Sequence, residues 1–141
     1  MPGTPNPGLV NSTVEEVVRW ATPVNYMRRR AACDTEMGGR RIRKGDWPIL
    51  FYASGNRDED VFDDPFRFRI DRAPNPHVGF GYGEHFCLGS HLARRSQRAL
   101  FAELARRLEH VELAGEPEWI KSSFVVGLKH LPIRYRIARG A

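Results

Sequence analysis

Residues 80 to 89 read Phe80-Gly81-Tyr82-Gly83-Glu84-His85-Phe86-Cys87-Leu88-Gly89. This glycine-rich stretch delivers one cysteine to the start of a segment with helical periodicity. The amino end of a helix carries unpaired amides and a partial positive charge, which favour a thiolate over a thiol and can donate hydrogen bonds to its sulfur. Glycines let the backbone approach a flat ring closely, and Phe80 and Phe86 are suited to pack on such a ring. Cys87 is therefore the first candidate for a functional side chain.

The residues alone leave three interpretations of Cys87: a metal-ligating thiolate, a nucleophile paired with His85, and a buried structural cysteine. A lone cysteine without further signals is most often structural. In an extended loop, residues two apart point the same way but are held apart by the backbone, so His85 is poorly placed as the base of a nucleophile. A metal ligand and a structural residue remain as alternatives.

Composition sets the broad class. The chain has 141 residues, 41% of them hydrophobic, which predicts one globular domain with a core. Its two cysteines, Cys33 and Cys87, provide neither a disulfide framework nor a zinc site, and Cys33 is interpreted as structural. The sequence has no apolar run long enough for a membrane helix or a signal peptide, so a cytoplasmic location is expected.

The net charge of +5 arises largely from clusters of arginine. Aromatic residues are not interleaved with these clusters, and no nucleic-acid-binding motif accompanies them. We therefore expect a solvated face or an acidic protein partner, and no nucleic acid.

Local patterns predict the order of the elements. A capping-box pattern at Asn11-Ser12-Thr13 predicts a helix that ends near Thr22, before Pro23. Leucines at helical spacing predict a longer helix from Leu88 to about Leu108. The other predictions are a lead-in over residues 1–8, small β-hairpins over 24–50, a brief helical turn over 52–60, a meandering loop over 61–83, and strands over 111–113, 124–126 and 133–137.

The pattern Phe-Gly-x-Gly-x-His-x-Cys-Leu-Gly over residues 80–89 resembles the haem-binding signature of the cytochromes P-450. The resemblance implies that Cys87 is the axial ligand to haem iron, a thiolate that pushes electron density toward bound oxygen and favours O–O cleavage. It also implies that His85 contacts a haem propionate. Within the same signature, Phe80, Gly81 and Gly89 are implied contacts of the cofactor.

A second motif, Glu-Val-Val-Arg at residues 16–19, resembles the Glu-x-x-Arg of the same family. Positions i and i+3 share a helix face, where a glutamate and an arginine can pair. In the family this pair engages an arginine of the meander loop. Arg72 is the candidate for this meander-loop arginine, and Arg67 is the weaker candidate. The implied role of Glu16, Arg19 and Arg72 is structural, because together they lock the loop that carries the thiolate.

The resemblance spans nearly the whole chain. Arg29 falls where bacterial members of the family place a propionate-binding arginine. Four residues lie where the family lines its substrate pocket, although strand and turn packing explains them equally well: Val24, Asn25, Val125 and Val126. The run Gly-Leu-Lys-His-Leu-Pro at residues 127–132 is most similar to actinobacterial members that oxidise sterol side chains or branched lipids.

The implied fold is an α+β fragment of the mainly α cytochrome P-450 fold: a short Glu-x-x-Arg helix, small β-hairpins, a meander loop, a cysteine loop, a long helix and a terminal β-hairpin. Residues 1–141 are expected to form a single partial domain, the C-terminal third of that fold, without its N-terminal part and its oxygen-activating central helix. Apolar faces that normally meet the absent helices are then expected to be exposed.

The implied function is insertion of one oxygen atom from O2 into a C–H bond of an apolar small molecule, with sterols and branched lipids as candidates. Haem b (iron protoporphyrin IX) is the implied cofactor. The implied partners are the substrate, O2, and a ferredoxin-type electron donor with its NAD(P)H-dependent reductase. The alternative is a catalytically inactive, truncated remnant that binds haem weakly or not at all.

Overall fold

A computed structural model describes residues 7–138 of the chain. Three α-helices lie in this range: α1 (Val10–Ala21), α2 (Tyr52–Gly55) and α3 (Ser90–Arg107). The strands are β1 (Tyr26–Arg28), β2 (Thr35–Met37), β3 (Arg40–Ile42), β4 (Ile49–Phe51), β5 (Leu108–Leu113), β6 (Glu118–Trp119), β7 (Leu128–His130) and β8 (Ile133–Ile137). Short 3₁₀ turns lie at Pro7–Leu9 and Gly83–His85. The predicted α+β class is confirmed; residues 1–6 of the predicted lead-in lie outside the described residues.

Helix α1 starts earlier than the sequence pattern predicted. The helix begins at Val10, directly after the 3₁₀ turn, and its cap residue Leu9 makes no side-chain capping bond. The Ser12 hydroxyl instead donates to the Leu9 carbonyl at 3.0 Å. The predicted capping box is therefore wrong, because residues 11–13 already lie inside the first turn and the preceding 3₁₀ turn leads the chain into the helix.

The end of α1 was predicted correctly. Thr22 adopts a left-handed conformation (φ 38°, ψ 65°), and its N–H donates to the Val18 carbonyl at 3.0 Å. Pro23 follows, and a proline disfavours helical geometry in the residue before it. The chain therefore leaves the helix at this point and turns toward β1.

Residues 26–51 contain two antiparallel strand pairs, so the predicted β-structure is confirmed, although within this range only β2 and β3 form a hairpin with a tight turn. Strands β2 and β3 are antiparallel and are joined by Gly38 and Gly39, whose φ angles of 56° and 71° suit a tight hairpin turn. Strand β1 pairs with β4 on either side of this hairpin, so that Tyr26 is opposite Phe51. The β1–β4 pair brings the segment after α1 against the short helix α2.

The C-terminal part contains two more antiparallel pairs, β5 with β8 and β6 with β7. Strand β8 has the predicted bounds. The predicted strand over residues 124–126 is wrong, because only an isolated bridge between Val24 and Val125 forms there. The residue before Val24 is Pro23, which has no N–H and so cannot extend the bridge into a ladder. Strands β6 and β7 were not predicted.

The described chain buries few large apolar side chains: Val14, Val18, Tyr52 and Phe62. Leu92 and Leu100 of α3 are 70% and 53% exposed, and Leu88, which precedes the helix, is fully exposed. Most of the apolar stripe of α3 therefore faces away from the described chain, in keeping with the expected exposure of apolar faces. None of the described helices is long and apolar enough to cross a bilayer.

Candidate functional site

A cavity of about 550 Å³ lies between α1, the segment after it, the cysteine loop and α3. Its size falls within the range of about 300–1,000 Å³ that is typical of ligand pockets. Six of the residues predicted from the sequence line it: Val24, Arg29, Phe80, Gly81, His85 and Cys87. The fold thus brings residues that are up to 63 positions apart in the sequence to the lining of one cavity.

Backbone hydrogen bonds hold the cysteine loop in a closed turn. The Cys87 N–H donates to the Phe80 carbonyl at 2.9 Å, which joins the two ends of the loop. Within it, the Phe86 N–H donates to the Gly83 carbonyl at 3.0 Å, and the Gly81 N–H donates to the Val78 carbonyl at 2.8 Å. The backbone of Cys87 is therefore fixed independently of its side chain.

Gly81 is required by both conformation and space. Its φ angle is 77°, a region that side chains of L-residues rarely adopt. A Cβ atom at this position would lie 3.2 Å from the Tyr52 hydroxyl. The glycine therefore lets α2 and the cysteine loop approach each other, and it leaves this part of the cavity wall without a side chain.

The amino end of α3 lies next to Cys87. The helix begins at Ser90, whose N–H donates to the Cys87 carbonyl at 3.1 Å. Its cap residue is Gly89, so no side chain caps the helix, and a Cβ at Gly89 would lie 4.0 Å from the Cys87 sulfur. The unpaired amides and the positive end of the helix dipole therefore lie next to the residue that carries the sulfur.

Arg29 and His85 share the cavity with Cys87. The Arg29 N–H donates to the Pro48 carbonyl at 3.0 Å, which anchors the residue just beyond β1. Within residues 7–138 its guanidinium donates to the neighbouring Arg28 carbonyl alone, at 3.2 Å, and the His85 ring makes no hydrogen bond. Both side chains thus keep donors for an anionic ligand such as a carboxylate.

Four predicted site residues are not on this cavity wall. Gly89 lies beside Cys87, where a Cβ atom would be 4.0 Å from the sulfur, and Asn25 donates from Nδ2 to the Ser123 carbonyl at 2.9 Å. Val125 forms the bridge with Val24, and the Val126 N–H donates to the Pro23 carbonyl at 2.9 Å. In the described chain, Asn25, Val125 and Val126 make the packing contacts that were the alternative to a pocket role.

Other residues on the wall were not predicted. Ala93 and Gln97 of α3 lie on the cavity one helical turn apart, and Val18 and Tyr52 line it from α1 and α2. The i, i+4 spacing of Ala93 and Gln97 after Cys87 was the available signal, since such positions share a helix face. The buried Gln97 Oε1 has no hydrogen-bond partner in the described chain.

These residues fit a haem. A lone cysteine thiolate is an axial ligand of haem iron, and the described chain contains no cluster of three or more acidic, histidine or cysteine residues that could hold a metal ion instead. Gly81 leaves room for a flat ring, and Phe80 offers an aromatic edge. Arg29 and His85 supply the donors that the two carboxylates of such a group need.

The Glu16–Arg19 pair forms a buried network rather than an exposed ion pair. Arg19 Nε and Nη2 donate to the two oxygens of Glu16 at 2.7 and 2.8 Å, and both side chains are fully buried. Arg19 Nη1 also donates to the carbonyls of Asn56 and Pro65, at 2.7 and 2.9 Å. Helix α1 is thereby tied to the loop after α2.

Arg72 joins this network from the meander loop. Its Nε donates to Glu16 Oε2 at 3.1 Å, and its Nη1 donates to the Asp63 carbonyl at 2.6 Å. Arg67, the weaker candidate, contributes its carbonyl, which accepts from Arg19 and Arg72 at 3.2 and 3.0 Å. The fold thus brings Glu16, Arg19 and Arg72 together, with the Arg67 backbone as an acceptor.

Burial by itself would raise the pKa of Glu16, but the Arg19 hydrogen bond, the Arg69 N–H and the charges of Arg19 and Arg72 lower it overall. Glu16 is therefore held as a carboxylate at neutral pH.

Two asparagines complete the network and were not predicted. Asn75 Nδ2 donates to Glu16 Oε2 at 3.1 Å. The fully buried Asn56 donates from Nδ2 to the Thr22 hydroxyl at 2.9 Å, and its Oδ1 accepts from the Val78 N–H at 2.7 Å. Asn56 thus connects the end of α1 to the start of the cysteine loop.

Cys33 plays no comparable part. The sequence interpretation as a structural residue predicts packing, but Cys33 is exposed and free. It lies between β1 and β2 in the sequence, and it does not line the cavity.

Comparisons with known proteins agree with this architecture. The family profile described as "Cytochrome P450" matches residues 6–137. A methyl-branched lipid omega-hydroxylase of Mycobacterium bovis is 49% identical over 129 residues, and a steroid C26-monooxygenase of Rhodococcus jostii is 45% identical over 130. These matches cover 91% and 92% of this chain but 30% and 28% of the relatives.

The fold is also found among solved structures. The crystal structure of CYP108D1 from Novosphingobium aromaticivorans superposes with a TM-score of 0.86 at 46% identity, over 93% of this chain and 32% of that one. The chain therefore spans about a third of the length of the relatives it matches. Together, the profile match, the identities and the superposition show that the chain belongs to the cytochrome P450 family.

Proposed function

We propose that this chain is the haem-binding part of a cytochrome P450 monooxygenase, with Cys87 as the axial thiolate ligand of haem b. One observation carries the proposal: Cys87, Arg29 and His85 line a single cavity whose wall at Gly81 has no side chain. Membership of the family supports the same cofactor, because cytochromes P450 bind haem iron through a cysteine thiolate.

Each residue has a distinct role in this proposal. Cys87 binds the iron through its sulfur, in the field of the uncapped amino end of α3. Arg29 and His85 bind the propionates, which fixes the rotation of the ring in the cavity. Phe80 packs against the ring and excludes water from the sulfur, while Gly81 and Gly89 keep side chains out of the approach to it.

When bound, haem would supply the iron chemistry by which, with two electrons from a redox partner and two protons, one atom of O2 is inserted into a C–H bond and the other leaves as water. The chain's own contribution is to present the Cys87 sulfur to the cavity on a backbone that hydrogen bonds hold in place. Glu16, Arg19 and Arg72 contribute at a distance, because they fasten the meander loop to α1, and α1 itself lines the cavity at Val18.

The remaining assignments concern the domain, the substrate and the electron donor. We propose that residues 1–141 act as one partial domain equivalent to the C-terminal third of a P450, in the cytoplasm, without the N-terminal part and the oxygen-activating central helix of the family fold. The substrate is an apolar small molecule, with sterols and branched lipids as the leading classes, as the names of two relatives suggest. Electrons come from a ferredoxin-type donor and its reductase.

A haem titration tests the proposal. Haem is added to the 141-residue chain, reduced and exposed to carbon monoxide, and the absorption spectrum is recorded. The long-wavelength Soret band of a thiolate complex is expected. Cys87→Ser should abolish this band, and Cys33→Ser, which removes an exposed cysteine away from the cavity, should retain it. A chain that binds no haem, as a remnant would, or that binds it equally well in both variants without this band, contradicts the proposal.

A further inference from the structure

Glu15, the residue before the buried Glu16, forms a second and separate ionic cluster. Its carboxylate accepts two hydrogen bonds from Arg94 of α3, from Nε at 2.7 Å and from Nη2 at 2.8 Å. The same carboxylate lies 2.9 Å from His77 Nε2. Glu15 and Arg94 are partly buried, and the His77 side chain is 3% exposed. One carboxylate of α1 therefore joins α3 to the segment that leads into the cysteine loop.

The contacts of His77 define its protonation state. Its Nδ1 accepts a hydrogen bond from the Gly79 N–H at 3.2 Å, so Nδ1 carries no proton. The proton is then on Nε2, which donates to Glu15. Burial lowers the pKa of His77, against the hydrogen bond and charge of Glu15, which agrees with a neutral ring. A neutral His77 thus connects the Glu15 carboxylate to the backbone of the loop.

Arg94 reaches the other side of the same loop. Its guanidinium lies 4.5 Å from the centre of the Phe80 ring, a cation–π distance. Phe80 is the residue whose carbonyl accepts the Cys87 N–H. The hydrogen bond to Glu15 raises the pKa of Arg94 most, against desolvation, and the charges of Glu15 and Cys87 raise it further. Arg94 thus contacts the Phe80 ring, and its positive charge lies close enough to Cys87 for the two to interact electrostatically.

We propose that Glu15 is a positioning residue for the cysteine loop: through His77 and Arg94 it holds the segment Gly79–Cys87 in the geometry that presents the sulfur to the cavity. The proposal rests on the function proposed above for its consequence at the haem, but the loop geometry itself does not require haem. The two adjacent glutamates of α1 then hold different loops. Glu16 binds the meander loop, whereas Glu15 binds the segment that leads into the cysteine loop.

The test compares Glu15→Gln with Glu103→Gln in the 141-residue chain. Glu103 is a matched control because it also accepts a hydrogen bond from an arginine on α3, Arg106, at 2.8 Å, but it is exposed and does not contact the loop. Amide hydrogen exchange is measured without haem at Gly79, Gly81 and Cys87. We expect exchange on the order of tenfold faster in Glu15→Gln, because a charged hydrogen-bond acceptor of the loop is lost. Glu103→Gln should match the unchanged chain.

A second variant, together with a backbone amide outside the loop, separates a local effect from a change in overall stability. Arg94→Lys retains the positive charge but loses the paired hydrogen bonds to Glu15. It is expected to show intermediate exchange at Gly79 and Cys87, while the Thr22 amide at the end of α1 keeps its protection. Unchanged exchange at the loop in both variants, or equal acceleration at Thr22 and Cys87, overturns the inference.

A spectroscopic readout separates this inference from the proposed function. In the reduced, carbon monoxide-treated haem complex, Glu15→Gln is expected to shift population from the thiolate band to the shorter-wavelength form, whereas Glu103→Gln is not. If the unchanged chain shows no thiolate band, the proposed function fails, while the exchange measurement still decides the role of Glu15. If the band is present and Glu15→Gln leaves both it and the exchange unchanged, the inference alone fails.

Discussion

The carboxylate of Glu16 and the guanidinium of Arg19 face each other through two parallel hydrogen bonds of 2.7 and 2.8 Å, and neither side chain is accessible to solvent. A buried pair of this kind is weak evidence of stability in itself, because desolvation opposes the attraction. Its importance here comes from what else it holds. Every remaining donor of Arg19 is used by a carbonyl of the loop after α2.

Arg19→Lys should therefore destabilise the chain strongly. Lysine keeps the charge but cannot pair with both Glu16 oxygens and reach the loop carbonyls at the same time. We expect a loss in the free energy of unfolding that approaches about 3–5 kcal/mol, the effect of removing one partner of a buried pair, because the ammonium group satisfies the Glu16 carboxylate only in part. Arg106→Lys is the control, since Arg106 and Glu103 have the same i, i+3 spacing but are exposed. Urea unfolding measures both; similar losses in the two variants would argue against a structural role of the buried network.

Acid should weaken the fold through Glu16. Its pKa in the folded chain lies below the ordinary value of 4.5, so its contribution is complete above that pH and is lost as the pH falls through the folded-state pKa. Glu16→Gln should be less stable than the unchanged chain at pH 7, and the difference should narrow below pH 4.5. Thermal unfolding between about pH 3 and pH 7, on either side of the ordinary glutamate pKa, measures this difference in stability. A difference independent of pH would contradict the shifted pKa.

His77 adds a second pH dependence in a higher window. Burial holds its folded-state pKa below 6.5, so the unfolded chain binds more protons as the pH falls past that value. Stability should then fall with decreasing pH from 6.5 toward the folded-state pKa, by at most about 1.4 kcal/mol per pH unit. His77→Gln should remove this slope. A slope that persists in the variant would have to come from other groups.

Gly81→Ala tests the close approach of α2 to the cysteine loop. Gly38→Ala is the matched control, because both glycines have positive φ angles but a Cβ at Gly38 meets nothing within 4 Å. Each variant should lose about 1–2 kcal/mol from the backbone conformation. Gly81→Ala should lose more, since its Cβ would lie 3.2 Å from the Tyr52 hydroxyl, and Tyr52→Phe should recover part of the difference. Equal losses in the two alanine variants would rule out the contact.

The elements that were predicted correctly have local signals in the sequence. The end of α1 was predicted because Pro23 acts on the residue beside it. The hairpin between β2 and β3 was predicted because two adjacent glycines punctuate it. The strands β6 and β7 were missed, since Glu118 pairs with His130 over a distance and neither strand has a periodic pattern of its own.

Within the site, the motif residues were predicted and their connectors were not. Cys87, His85, Glu16 and Arg19 belong to patterns with fixed spacing, whereas Asn56 and His77 function only because the loop folds back onto α1. Their side chains have no sequence neighbours that indicate such a role. The three-dimensional fold was needed to show that Glu15 and Glu16, adjacent in the sequence, serve different loops.

Iron-edge X-ray absorption of the chain loaded with haem identifies the atoms bound to the metal and so decides whether Cys87 is the ligand. One sulfur atom is expected in the first coordination shell of the ferric complex, present in Cys33→Ser and absent in Cys87→Ser. A first shell that contains nitrogen and oxygen atoms alone in the unchanged chain would contradict it.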